Sequence, residues 1–292
     1  VINSMKVIIL GGDGMIGHKI YQSLYNSGLD LIVASRKKRH NLKIDFNKSE
    51  VFNIDVFNED IKKFLKIYKP NYIVNCIGIT TRRFGENNID KITFCNSKFP
   101  HILSEWAQKN NSKLIHFSTD CVFSGITGDY TENSTPDASD IYGFTKAKGE
   151  VLNCDNTLTI RTSMIGREVY NQTELLEWIL SQNNKEISGY VKAIYSGVTT
   201  CWMGNVIARI IRENINLSGL YNISSNSISK YELINLLCDT FNLNIKINEN
   251  HDYASNKSLI SRKFFERTDI DKPSWETMLI NLKKDSQINK NI

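Results

Sequence analysis

Tyr142 and Lys146 stand four residues apart in Ile141-Tyr-Gly-Phe-Thr-Lys-Ala-Lys-Gly-Glu150. On a helix that spacing puts a phenol and an ammonium on one face. A phenol with a pKa near ~10 is a weak acid at neutral pH, and a neighbouring cation favours its ionised form, so the expected direction is downward. The pair can therefore move a proton. By itself it also fits an ordinary solvated helix, and two further segments bear on the choice.

Lys6-Val-Ile-Ile-Leu-Gly-Gly-Asp-Gly-Met-Ile-Gly17 is an apolar run followed by Gly11, Gly14 and Gly17. It reads as strand, tight turn and helix, with Ile16, Ile20 and Leu24 on the apolar face of that helix. Gly11 and Gly14 let the backbone approach a pyrophosphate, the helix N-terminus beyond them (Met15, Ile16) offers N–H groups, and Gly17 permits close packing. The second segment, Leu114-Ile-His-Phe-Ser-Thr-Asp-Cys-Val-Phe-Ser-Gly125, is a strand that ends in hydroxyls and a carboxylate. In open parallel sheets ligands lie beyond the carboxyl ends of strands, which places Ser118, Thr119 and Asp120 where a substrate would sit. An Asx turn or helix cap is the plainer explanation of the same residues.

Strand-like runs at 6–10, 31–34, 72–77, 113–117 and 157–161 alternate with helix-like stretches at 15–26, 58–68, 98–109 and 142–153. The alternation predicts an α/β fold, a Rossmann-type doubly wound parallel sheet. Residues 1–161 would form the dinucleotide domain. Residues 162–292 would form mainly a smaller substrate-binding lobe, with some segments returning to the core. Helical periodicity is clear at 201–213 and 230–241, and the tail from Leu282, rich in Lys and Asn, is expected to fray.

These three segments, in this order, resemble the extended short-chain dehydrogenase/reductases, and within them the sugar-nucleotide 4-ketoreductases typified by dTDP-4-dehydrorhamnose reductases. The resemblance covers most of the chain and rests on the glycine turn, Ser-Thr-Asp-x-Val-Phe-x-Gly at 118–125 and Tyr-Gly-x-Thr-Lys-x-x-Gly-Glu at 142–150. It implies that Thr119 hydrogen-bonds the substrate oxygen, Tyr142 is the general acid, and Lys146 holds the nicotinamide ribose and lowers the tyrosine pKa. Asp120, Val122 and Phe123 would fall near the sugar, and Asn96 would support the site from the helix that follows Asn75-Cys-Ile-Gly78. Cys76, Ile77 and Gly78 would border the cofactor. Asp45 and Phe46, closing a short third strand, would lie beside the adenine. Thr162-Ser-Met-Ile-Gly166, Ser196-Gly-Val-Thr-Thr200 with Val198, and loops near 250 would build the sugar-nucleotide pocket. Two stretches depart from the rhamnose branch: Cys-Ile-Gly-Ile-Thr-Thr-Arg-Arg-Phe stands after Asn75, and Lys272-Pro-Ser-Trp-Glu near the end.

The implied reaction is NADPH-dependent reduction of the C4 ketone of a nucleotide-activated 4-keto-6-deoxyhexose, for surface polysaccharide sugars. After the second apolar run comes Ser35-Arg36-Lys37-Lys38-Arg39, where NAD-selective proteins place an acid for the ribose diol. Cations and a hydroxyl suit a 2′-phosphate, which favours NADPH over NADH. Dehydratases of the superfamily follow the catalytic Thr with Asp and Glu, whereas here Asp120 precedes Cys121. An epimerase with tightly held NAD, and a non-catalytic dinucleotide-binding regulatory subunit, are the alternatives.

Composition bounds the rest. Six cysteines without a C-x-x-C pair and five dispersed histidines give no metal site, and His116 reads as a core residue. The net charge of +5 comes from interleaved acids and bases, which argues against nucleic acid as a partner. No apolar run approaches the ~18 residues of a membrane span and no leader is evident, so a cytoplasmic location is expected. Val1–Ser4 precede Met5, which stands directly before the first strand, and read as an upstream extension or an appended remnant. The Thr80-Thr-Arg-Arg83 turn could bring cations to a diphosphate. A homo-oligomer is left open.

Overall fold

The computed structural model describes residues 4–46, 49–80, 88–170 and 172–288. Six strands come first: β1 (Lys6–Leu10), β2 (Asp30–Ser35), β3 (Glu50–Asn53), β4 (Tyr72–Asn75), β5 (Lys113–Phe117) and β6 (Thr157–Arg161). Beyond them lie β7 (Met164–Ile165), β8 (Glu186–Tyr195), β9 (Val198–Thr199), β10 (Gly219–Asn222), β11 (Ile228–Ser229) and β12 (Lys246–Asn256). A seven-stranded sheet runs β10-β6-β5-β4-β1-β2-β3, and every pairing in it is parallel. The crossover beside β1 brings the carboxyl ends of β1, β4 and β5 together, which is where such folds open a crevice.

The strands are short apolar runs because both faces of the sheet are covered. Alternation in β1 divides the core: Val7 and Ile9 pack with Ile20 and Leu24 on one side, Ile8 and Leu10 with Leu65, Phe99 and Leu103 on the other. The first side is closed by the helices Gly17–Leu24, Thr200–Arg212 and Trp275–Ile288, the second by Ile61–Tyr68 and Phe99–Lys109. A Cβ on Gly17 would lie 2.2 Å from the Gly11 carbonyl oxygen and 2.8 Å from the Gly12 Cα. Only glycine lets this helix start so close to the turn that feeds it.

Beyond β6 the chain contributes β10 to the large sheet, and its remaining strands form a three-stranded sheet, β11-β8-β12, and a two-stranded one, β7-β9. Ser229 and Glu232 form a capping box at the head of the helix Lys230–Phe241.

Three expectations are corrected. The third strand begins at Glu50, and Phe46 instead packs edge-on against Tyr21 in the core, with the Tyr21 hydroxyl donating to its carbonyl. Burying an aromatic ring outweighed the strand propensity of that run. The region near 250 is a strand, β12, rather than a loop. The tail from Leu282 is helical to Ile288, because Leu279 and Leu282 are fully buried against the first side of the sheet.

His18 gives the fold an acid-sensitive point. Its Nδ1 donates to the Gly14 carbonyl at 2.7 Å in a site where only 5% of the residue is exposed. Burial, then the Lys19 charge, lowers its pKa to about 4 against the opposing pull of the Gly14 bond and Asp285. Between about 4 and 6.5 the unfolded chain therefore binds the proton that the folded chain refuses, so stability falls as pH falls through that window. Urea titrations at pH 6.5 and pH 5 should differ by roughly 1.5–2 kcal/mol from this group. In His18→Asn that component should vanish; an unchanged pH slope would refute the assignment.

Candidate active site

Two cavities meet above the carboxyl ends of β1, β4 and β5. The first, about 430 Å³, is lined by Gly11, Asp13 and Gly14, by Ser35, Arg36 and Lys37, and by Cys76, Ile77 and Gly78. The second, about 450 Å³, shares Gly14 and Cys76–Gly78 and adds Met15, Ile16, Ser118, Thr119, Tyr142, Lys146 and Thr162. Their common wall makes one cleft of the two.

The glycine turn can receive a dinucleotide. A Cβ on Gly14 would meet only the Gly11 carbonyl oxygen, at 3.2 Å, and would otherwise occupy cavity space. No side chain caps the following helix and no acid stands in its first turn, which suits an anion at that N-terminus. The β2 turn is held from below: the Lys37 N–H donates to Ser35 Oγ at 3.0 Å, and Asn53 Nδ2 donates to the Arg36 carbonyl at 2.7 Å. A hydroxyl and cations therefore face the cavity on a fixed backbone.

The helix Ile141–Lys148 carries both Tyr142 and Lys146. Asp140 caps it by accepting from the Gly143 N–H, and a Cβ at Gly143 would sit 2.2 Å from the Cys121 carbonyl oxygen. The absence of that Cβ lets the helix lie against the loop bearing Thr119. Lys146 Nζ donates to the Phe117 carbonyl at 2.6 Å. Burial lowers the Lys146 pKa to about 8, opposed by the Glu150 charge.

Tyr142 differs from expectation. Burial pushes its phenol up, the charges of Asp120 and Glu174 add to the rise, and the Thr119 hydrogen bond opposes it. Lys146 Nζ is directed at the Phe117 carbonyl of β5, and burial is the largest influence on the phenol. The phenol is thus protonated at neutral pH, the form a general acid needs. Burial likewise pushes the Cys121 thiol to about 12, so it carries no charge beside Tyr142.

Several residues expected at the ligand lie elsewhere. Asp120 is buried outside the lining; burial raises its pKa, and Lys230, Lys257, Cys121 and Thr119 act to lower it. Val122 and Phe123 form a small core with Tyr130 and Leu259, where Phe123 stacks on Tyr130 with centroids 3.9 Å apart. Val198 belongs to the main core, and Ser196 Oγ accepts the Leu259 N–H. Asn96, in a π-helical turn at Phe94–Lys98, spends its amide on the Ile79 backbone in both directions at 2.9 Å, and so supports the cavity wall from behind. Asp45 and Phe46 are replaced at the cavity by the second Ile-Asp-apolar run: Asp55 and Val56 line it. Burial would raise the Asp55 carboxyl, but the Lys91 hydrogen bond and charge, with Arg36, hold it below the usual range. The Arg39 side chain and residues 81–83 of the basic turn lie outside what is described; Thr80 itself lines the second cavity.

At the far end of the cleft a third cavity of about 430 Å³ shares Met15, Ser163, Met164 and Glu174 with the second; the expected segment 162–166 contributes Ser163 to Gly166, while Thr173, Trp178, Tyr195 and Lys230 went unanticipated. Lys230 Nζ lies 3.7 Å from the centroid of Tyr195. Trp178, in the short helix Leu175–Leu180, is 39% exposed. Among the described residues no cluster of ligating side chains could hold a metal ion, and no helix is long and apolar enough to cross a membrane.

Glu150 binds the parts together. Its carboxylate takes Arg161 Nε and Nη2 at 2.7 Å each and the Ser118 hydroxyl at 2.7 Å, with both charged side chains 2% exposed. Glu150→Gln should leave Arg161 a buried, uncompensated cation and cost about 3–5 kcal/mol in chemical denaturation. Adding Arg161→Met should recover most of that loss. A single variant as stable as the parent would contradict this account.

The family model described as RmlD substrate binding domain matches residues 5–285. A dTDP-4-dehydrorhamnose reductase of Aggregatibacter actinomycetemcomitans is 26% identical over 211 residues, 71% of this chain and 66% of the relative. Methionine adenosyltransferase 2 subunit beta of Danio rerio is 23% identical over 252 residues, 82% of this chain and 74% of the relative. Among solved structures, the fold is similar to that of dTDP-4-dehydrorhamnose reductase from Bacillus anthracis in complex with NADP, with a TM-score of 0.80 at 21% identity over 97% of this chain and 99% of that one. It is also similar to the Yersinia enterocolitica reductase, with a TM-score of 0.78 at 22% identity over 96% and 98%.

Proposed function

The chain belongs to the RmlD substrate binding domain family, of the extended short-chain dehydrogenase/reductase type, and we propose that it reduces the C4 ketone of a nucleotide-activated 4-keto-6-deoxyhexose with NADPH. The observation that carries this reading is one continuous cleft with a glycine turn and cationic β2 turn at one end, Thr119 and Tyr142 in the middle, and Lys230 with Trp178 at the other. An elongated ligand pair, dinucleotide and sugar nucleotide meeting head to head, has that sequence of chemistries.

Gly11–Gly17 would hold the pyrophosphate, Ser35, Arg36 and Lys37 a ribose 2′-phosphate, and Cys76–Gly78 the wall beside the nicotinamide. When bound, the cofactor supplies hydride to the carbonyl carbon. Tyr142 then donates its proton to the carbonyl oxygen, and Thr119 hydrogen-bonds that same oxygen as negative charge develops. Lys146, a cation one turn further along the same helix, would hold the ribose. At the far end Lys230 offers a charge to a diphosphate and Trp178 an indole face to a base. Residues 1–161 would thus serve mainly cofactor and proton transfer, and residues 162–292 mainly the sugar nucleotide.

A dinucleotide-binding subunit without turnover is the second reading, favoured by the similarity to methionine adenosyltransferase 2 subunit beta. The convergence of Thr119, Tyr142 and Lys146 on one cavity supports an enzyme instead. Elimination chemistry is disfavoured because the position after Asp120 holds a neutral thiol.

NADPH oxidation should be observed with one of the dTDP-, UDP-, GDP- or CDP-4-keto-6-deoxyhexoses, with NMR identifying the reduced product. Tyr142→Phe should lower kcat by about 10²–10⁴-fold and leave the cofactor Kd within twofold. Dinucleotide binding without turnover of any of the four sugars would favour the subunit reading, and wild-type turnover by Tyr142→Phe would remove Tyr142 from its role.

A further inference from the structure

Tyr170 comes from the segment between β7 and the helix Leu175–Leu180, far in sequence from the β2 turn, yet it lines the same cavity as Ser35, Arg36 and Lys37. The ammonium of Lys37 stands 3.8 Å from the centroid of its ring, and that of Lys43 stands 5.6 Å away. The phenol oxygen is fixed in turn, accepting the Lys43 backbone N–H at 3.0 Å. The ring is therefore held at its edge while its face receives a cation.

That arrangement matters because a lysine is a long, flexible side chain with many rotamers to restrict. The Lys37 backbone is anchored on Ser35 Oγ, but nothing in that bond directs its ammonium. The Tyr170 ring does, through attraction between the charge and the π face. An ammonium resting on a ring keeps N–H donors for a ligand, whereas one paired with a carboxylate would have lost its net charge to the partner. The cavity at this point also holds the Ser35 hydroxyl and Arg36.

We propose that Tyr170 is a specificity-determining residue for the cofactor: by holding Lys37 over its ring it presents a cation to a phosphate monoester on the ribose, and so sets the preference for a 2′-phosphorylated dinucleotide. This rests on the reading of the cavity as a nicotinamide dinucleotide site. Tyr170 acts through Lys37, as a positioning residue. A residue that merely packed the cavity wall would affect phosphorylated and unphosphorylated dinucleotides alike, and that difference separates the two roles.

Calorimetric titration of the full chain with NADPH, NADH and 2′,5′-ADP tests it. In Tyr170→Ala the Kd of NADPH and of 2′,5′-ADP should rise about fivefold while that of NADH stays within twofold. Tyr170→Phe, which keeps the ring, should retain wild-type selectivity. Lys37→Ala should show the same selective loss, and Tyr170→Ala added to it should cost no further selectivity, since the two act as one unit. Equal weakening of NADPH and NADH in Tyr170→Ala, or an unchanged ratio, would overturn the proposal while leaving the cavity's reading intact. If the parent chain bound none of the three ligands, the reading of the cavity would itself fail and take the proposal with it.

Discussion

The site depends on a buried carboxylate that belongs to none of its reacting groups. Glu150 lies just past the helix that carries Tyr142 and Lys146, and its two oxygens take the Arg161 guanidinium at the end of β6 and the Ser118 hydroxyl just past β5. Three separate pieces of chain are thereby referred to one point. A charge so deeply buried is tolerated only because every strong donor around it is matched, and the bidentate geometry with Arg161 sets distance and angle together. Arg161 also packs 4.9 Å above the ring of Phe123, which joins the pair to the small core behind Thr119. Thr119 and Tyr142 face each other because these anchors leave them little choice.

Electrostatics change along the cleft in a way that matches the tasks assigned to it. At the β2 end, cations stand on an anchored turn and Asp55 is held ionised by Lys91. In the middle, burial dominates: the phenol of Tyr142 and the thiol of Cys121 are both pushed toward their neutral forms, and the Lys146 cation is drawn down. A phenol in such a place is protonated at rest. The far end returns to charge, with Lys230 resting on Tyr195 and Glu174 between the two cavities.

Much of this was legible in the residues themselves. The runs 6–10, 113–117 and 157–161 are strands with those bounds, since continuous apolar residues flanked by polar turns have few other ways to be buried. Gly11, Gly14, Thr119, Tyr142 and Lys146 meet in one cleft because local geometry puts each at a strand end or on the helix that follows. Where the reading failed, two segments offered the same local pattern. Ile44-Asp-Phe and Ile54-Asp-Val are indistinguishable by alternation, and only the space beneath Tyr21 decided that Phe46 would go inward and Asp55 would face the cavity.

The same limit explains Val122, Phe123 and the phenol of Tyr142. Their neighbours come from distant parts of the chain, Leu259 and Glu174 among them, and no spacing encodes such contacts. Tyr170 reaches the β2 turn across more than a hundred residues for the same reason. The sequence by itself determined the order of strands and helices and the chemistry available at each strand end, because those follow from hydrophobic period and backbone geometry over a few residues. Only the tertiary structure decided which side chains turn into the cleft, which support it from behind and which way each proton is biased, because burial and charge are sums over neighbours that the chain brings together only when folded.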